Sequence, residues 1–201
     1  MGTALVLASA SPRRRELLGA LGIPFVADSA DVDETRRRGE PPATYVRRLA
    51  IEKARRVLPR HPGATVIGAD TTVVLRGRIL GKPRDSADAR RMLGALQGAS
   101  HQVFTGVAIE SAALSRAFVC RSTVRFRGLT RDEIRAYVAT GEPLDKAGAY
   151  AIQGIGASIV RSVQGSVTNV IGLPLAELAE ALAVFGLPSG SVASGSATRR
   201  G

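Results

Sequence analysis

With 201 residues, 45% of them apolar, the chain is long enough to bury a sizeable core as one domain or as two lobes around a cleft. A net charge of +11 invites a nucleic-acid reading, yet the cations are scattered and aromatic residues make up only 4% of the chain, a poor supply of stacking platforms. One cysteine argues against a disulfide scaffold, two isolated histidines argue against a zinc site, and no apolar stretch approaches the ~20 residues of a membrane span. The chain does not open on the basic leader of a signal peptide, so a cytoplasmic protein with no membrane partner and no stable nucleic-acid partner is expected.

The division of the cations says more than their sum. Of 28 basic residues only Lys53, Lys82 and Lys146 are lysine, and the rest are arginine. A chain that uses arginine almost everywhere is expected to keep lysine where a compact, flexible ammonium is needed and a planar guanidinium does not fit. Each of the three is therefore a site candidate.

In chain order, residues 4–8 read as a buried first strand, followed at once by Ser9, Ala10, Ser11 and Pro12 and then by Arg13, Arg14 and Arg15. Ser11 before Pro12 is a helix start, with Leu17, Leu18 and Leu21 at helical spacing. Cations oppose the dipole at a helix N-terminus, so two serines and three arginines there call for a bound anion. Residues 24–28 read as a second short strand. Asp28, Asp31, Asp33 and Glu34 then put four carboxylates into seven residues, as a metal site or as partners for the arginines. A helix is expected over 43–58, with Val46, Leu49, Ala50, Ala54 and Val57 as its apolar stripe and Lys53 on that stripe. An inward-facing lysine has to snorkel or meet an anion, and the second option brings it to Asp70 or to a phosphate.

The run 66–75 has strand length and delivers Asp70 where it turns polar; Arg76, Gly77 and Arg78 then turn the chain into a second strand that leads to Lys82 and Pro83. A carboxylate and an ammonium on adjacent rigid elements suit metal-assisted chemistry on a phosphate. The first holds Mg²⁺ or positions water, and the second neutralises phosphate oxygens. Asp85 or Ser86 caps a helix that faces Ala89, Met92, Leu93 and Leu96 inward and stops at Gly98. Strands follow over 102–109 and 118–126, the second alternating and half-buried, with Cys120 as a small apolar residue rather than a nucleophile. Thr130 and Glu133 form a capping box for a helix carrying Ile134, Tyr137 and Val138 and ended by Gly141. Residues 145–156 read as a glycine-rich loop whose Gln153 offers both a donor and an acceptor, as reading the edge of a base requires. A strand over 158–163 and a helix over 175–185, entered through Gly172, Leu173 and Pro174 and closed by Gly186, complete a single domain, 1–186. The Ser, Gly and Arg of 187–201 read as a disordered tail.

These residues resemble the Maf family of nucleoside triphosphate pyrophosphatases over nearly the whole chain, to about residue 186. The resemblance is carried by Ser9 to Arg14, by Asp33 with Glu34, by Glu52-Lys53-Ala54, by Gly68-Ala69-Asp70-Thr71 and by Lys82-Pro83, and further on by Asp145 to Gly148, Ile152-Gln153-Gly154 and Gly172-Leu173-Pro174. It implies an α/β fold similar to that of inosine triphosphatases: a twisted mixed β-sheet flanked by helices, in two lobes around a central cleft. It also implies attack of water on the α-phosphorus of a nucleotide, giving the monophosphate and pyrophosphate. In that scheme Asp70 is general base or metal ligand, Glu34 helps to hold magnesium or manganese, and Ser9, Arg13, Arg14, Lys53 and Lys82 grip the phosphates. Arg13, Thr71 and Gln153 resemble the group acting on dTTP and UTP, whereas the group acting on 7-methyl-GTP tends to carry tryptophan, glutamine and glutamate there. Nucleotide-pool housekeeping, a link to cell-division arrest and room for a homodimer come with the resemblance. On the residues alone, two other classes stay open: a regulatory or nucleic-acid-binding protein using its charge without turnover, and a phosphomonoesterase releasing orthophosphate with the same acid and metal.

Overall fold

The computed structural model of the chain describes residues 4–187, and the rest of the expected tail, 188–201, lies outside the described residues. Its elements are β1 (Leu5–Leu7), α1 (Pro12–Gly19), β2 (Phe25–Ala27), α2 (Pro42–Val57), β3 (Thr65–Leu75), β4 (Arg78–Leu80), α3 (Ser86–Leu96), β5 (Ser100–Glu110), β6 (Ser115–Phe126), α4 (Arg131–Ala139), β7 (Val160–Gln164), α5 (Val167–Ile171) and α6 (Leu175–Val184). Most ends have the local cause read from the sequence. Ser11 caps α1 with Pro12 as its first residue, Asp85 caps α3, and the Thr130–Glu133 capping box is complete at α4. The β3–β4 turn puts Arg76 and Gly77 both at positive φ, +48° and +76°, the conformation a two-residue hairpin needs. Two features differ from expectation. Residues 158 and 159, expected to open a strand, belong instead to a 3-10 turn over 154–159, with the strand starting at Val160, and the five-residue α5 is too short to show a period in the sequence.

The strands form one mixed sheet in the order β2-β1-β3-β5-β6-β7, with β4 paired to β3. β1 runs parallel to β2 and β3, and the other pairs are antiparallel. Along one edge β3 pairs with β5 from Val66 to Val74 without a break. Along the other it pairs with β1 over Thr65–Ile67 and with β4 over Val73–Leu75, which leaves 68–72 without a strand partner on that edge. That gap opens the cleft, and Asp70 stands in its middle.

Apolar packing divides accordingly. Alternation along β1 sends Leu5 and Leu7 to one face, against Leu18 of α1 and Leu178 and Leu182 of α6, and Val6 to the other, against Ala50, Ala54 and Val57 of α2. Beyond the gap, Val73, Leu75, Val103 and Phe126 pack under α3 and α4 as a second lobe. The sheet is thus flanked by helices in two lobes, as expected. Helix α2 lies unusually close to the strands: a Cβ on Gly68 would stand 2.1 Å from the Ala50 carbonyl oxygen, and one on Gly106 would stand 2.3 Å from that of Val46. Glycine at these two positions lets the helix backbone rest on the sheet, and Asp70 follows Gly68 on the same face.

Candidate active site

The gap in β3 opens on a cleft of about 880 Å³, walled by Ser9, Arg13 and Arg14 from one lobe and by Lys82, Lys146 and Gln153 from the other. Lys53, carried inward by the apolar stripe of α2, donates to Asp70 Oδ1 at 2.7 Å and reaches Glu34 Oε1 at 2.6 Å. Lys53 and Asp70 are both only 8% exposed, so water screens their attraction little. Burial pushes the Asp70 carboxyl above its ordinary range, opposed by Lys53 and Arg14 and reinforced by Glu34. At Glu34 burial pushes the same way, but Lys53, Lys82 and Arg14 outweigh it and hold the carboxyl below its ordinary range. Two acids on one ammonium are thereby driven apart, Asp70 toward holding a proton more readily and Glu34 toward staying ionised.

The four clustered acids separate in space. Asp28 pairs with Arg60 at 3.2 Å and with His61 at 2.9 Å, Asp33 accepts from the Thr35 amide at 2.9 Å, and Glu34 turns to Lys53. Arg14, expected to grip phosphate, has all three guanidinium nitrogens on protein acceptors: Gly172 O at 2.9 Å, Ser9 Oγ at 3.3 Å and Thr71 Oγ1 at 3.0 Å. Arg13, Lys82 and Gln153 line the cleft with no side-chain hydrogen bond or ion pair among the described residues. Gln153 is exposed at the rim rather than enclosed. Burial lifts the Cys120 thiol to about 12, with Glu177 adding to it, so Cys120 is inert at neutral pH, as read from its pattern. Burial also lowers the His101 imidazole to about 4, and the ring shares a 2.8 Å hydrogen bond with Tyr150 as a structural core residue.

A family model described as Maf-like protein matches residues 4–185. The chain belongs to the Maf-like protein family. This Maf-like chain is 54% identical over 186 residues to a protein of Myxococcus xanthus (strain DK1622) named dTTP/UTP pyrophosphatase, covering 92% of this chain and 94% of that one. It is 55% identical over 185 residues to a protein of the same name from Moorella thermoacetica, covering 91% and 95%. A solved structure of a HAM1 protein from Coxiella burnetii gives a TM-score of 0.49 at 20% identity, over 91% of this chain and all of that one, a likeness that carries neither substrate nor mechanism.

Around the Maf-like site stands a set of positioning residues that sequence reading passed over. Thr105 faces Thr71 across β3 and β5 and donates to Asn169 O at 2.9 Å. Its single hydroxyl proton is thereby used, so the 2.9 Å contact between the two threonines runs from Thr71 to Thr105. Arg14, Thr71, Thr105 and Asn169 O form one directed chain, and Asn169 in turn donates to Val103 O and Ser122 Oγ. On the other side, Tyr45 donates to Glu34 O at 2.9 Å, and Arg48 grips Glu40 through two bonds of 2.7 and 2.9 Å while also donating to Thr35 O. These contacts pin the loop that presents Glu34.

The Arg48 hydrogen bonds, working against burial, hold the Glu40 carboxyl down to about 2 from an ordinary 4.5. The folded state therefore binds its proton later than the unfolded chain, so this pair contributes full stability above about pH 4.5 and loses it as pH falls toward 2. Urea titrations of the parent and Glu40→Gln from pH 6 to pH 3 are expected to show a stability gap that narrows as the pH drops. A gap of constant size would mean that Glu40 is not held by Arg48 in this way.

Proposed function

We propose that the chain is a dTTP/UTP pyrophosphatase, a hydrolase that converts the triphosphate to the monophosphate and pyrophosphate. The observation that carries the reading is the Glu34–Lys53–Asp70 cluster at the floor of an open cleft, in a chain 54–55% identical to proteins of that name. Asp70, on a rigid strand and raised by burial, takes the proton of the attacking water as a new bond forms from its oxygen to the α-phosphorus and the bond to the bridging oxygen of pyrophosphate breaks. Arg13 and Lys82, with no side-chain hydrogen bond or ion pair among the described residues, line the cleft from opposite lobes and are placed to take the phosphates. Lys53 keeps two acids together that would otherwise repel, and Arg14 sets Ser9 and Thr71 in place.

Asp70 and Glu34 present hard oxygen donors on one ammonium, which fits magnesium or manganese, although no group of three or more His, Cys, Asp or Glu among the described residues is placed to hold an ion unaided. Such a donor set relies on substrate phosphates for its remaining ligands, as magnesium sites in phosphate enzymes do. When bound there, the ion supplies charge neutralisation to the phosphate oxygens. No helix among the described residues is long and apolar enough to cross a membrane, and a nucleotide-pool role in the cytoplasm accords with the reading.

A panel of dTTP, UTP, ATP, GTP and 7-methyl-GTP with Mg²⁺ or Mn²⁺, resolving pyrophosphate from orthophosphate, tests the reading. Pyrophosphate from dTTP and UTP is expected, at rates ~10²-fold or more above the purine nucleotides, because a base that leaves polar groups of the site unmatched is rejected strongly. Orthophosphate as the first product, or a preference for 7-methyl-GTP, would overturn it.

A further inference from the structure

Gln153 is the residue expected to read the base, yet its side chain makes no hydrogen bond among the described residues. What holds it is the backbone around it. Glu142, just past α4, receives the Ile155 amide on Oε2 at 3.0 Å and the Gly156 amide on Oε1 at 2.9 Å. Tyr137 of α4 donates to Glu142 Oε1 at 2.7 Å and accepts the Ala151 amide at 3.1 Å. Both feet of the arc 151–156 therefore stand on one carboxylate and one phenol, and residues 152–154 bridge them with Gln153 at the crest. Two successive amides closing on a carboxylate make a small anion nest, here with the anion supplied by the protein itself.

The arc fits this support tightly. Gly154 has φ +71°, and a Cβ on it would come within 2.6 Å of Glu142 Oε2; one on Gly156 would come within 2.2 Å of Ala151 O and 2.5 Å of the Tyr137 hydroxyl. The backbone of Glu142 is tied in turn to the cleft wall, since Lys146, which lines it, donates through Nζ to the Glu142 carbonyl oxygen at 2.7 Å and to Asp145 Oδ1 at 2.5 Å. The third lysine is thus bound to the same support.

We infer that Glu142, braced by Tyr137, is the positioning residue for base recognition: it fixes the arc that presents Gln153 to the pyrimidine without itself touching substrate. The inference rests on the dTTP/UTP reading. Glu142→Gln is the sharp test because donors face both carboxylate oxygens. An amide has one acceptor oxygen, so its NH₂ must meet an N–H or O–H head-on, with shape otherwise kept. A loosened arc weakens a contact made equally in ground and transition states, so KM for dTTP is expected to rise ~10-fold with kcat within about twofold. The inhibition constant of inorganic tripolyphosphate, which carries phosphates and no base, should stay where it is. Tyr137→Phe, which removes one donor and one acceptor from the support, should act in the same direction. Added to Gln153→Ala, Glu142→Gln should change KM no further, because the two residues act as a unit.

A parent enzyme that releases no pyrophosphate from dTTP sinks the pyrophosphatase reading and this inference with it. A parent that does, combined with an unchanged KM in both Glu142→Gln and Tyr137→Phe, overturns this inference alone. So does a Glu142→Gln enzyme whose KM and tripolyphosphate constant rise together, since that is general loosening, or one whose effect adds in full to that of Gln153→Ala.

Discussion

Replacing Asp70 by asparagine is expected to cut pyrophosphate release ~10²–10⁴-fold, the usual cost of removing a positioned acid–base group. The exchange keeps shape and leaves an oxygen able to accept from Lys53, so what it removes is the charge that takes the proton. Stability should move the other way or stay still. Burial is the largest influence on the Asp70 carboxyl and works against its charged form, and Glu34 beside it adds repulsion, so a neutral amide relieves both while Lys53 keeps Glu34 as a partner. A melting temperature equal to or above the parent's, together with lost turnover, is the expected pair of results. Activity within a few-fold of the parent would remove Asp70 from the chemistry.

How much of this was legible in the sequence depends on what kind of signal each feature leaves. Asp70 at the polar end of an apolar run and Lys53 on an apolar helical stripe each put a charge where the pattern calls for an apolar side chain, which marks both as buried charges in need of a partner. Their meeting follows once Gly68 lets α2 rest on β3, two residues before Asp70 on the same face. Residues whose partners lie far along the chain leave no such mark. Arg14 stands out as a cation among serines and arginines at a helix N-terminus, but nothing near it in sequence points to its partners Thr71 and Gly172, 57 and 158 residues away. Thr105 and Asn169 were unreadable for the same reason, being defined by strand register and by a helix of five residues. The acidic cluster could be counted but not divided, since loop backbone decides which of four carboxylates turns inward. The arc of Gln153 is built from 3-10 turns and glycines, which have no period, so the reading found its glutamine and missed the glutamate beneath it.

Lys53 separates charge from shape, and two substitutions there are expected to part company. Its Nζ sits 2.6 Å from Glu34 and 2.7 Å from Asp70, at 10% side-chain exposure. Lys53→Met removes the cation that bonds both acids, leaving a buried carboxylate without that partner beside another. Breaking such a pair costs about 3 kcal/mol at the low end, and the low end applies because the exposed Glu34 is free to turn to water. Turnover should fall ~10³-fold as well, since the electrostatic arrangement around the reacting phosphate is lost. Lys53→Arg keeps the charge and should recover most of the stability, but not the activity. A guanidinium spreads its nitrogens over a plane and prefers to grip carboxylates two oxygens at a time, so it would draw Asp70 and Glu34 out of the positions that a single point charge gives them. Displacements of about 1 Å at a reacting centre cost ~10²-fold, which is the loss expected for Lys53→Arg at near-parental melting temperature. Were arginine to restore turnover, retention of lysine in so arginine-rich a chain would lose its physical reason, and Lys53 would be a generic counter-charge rather than a shaped one.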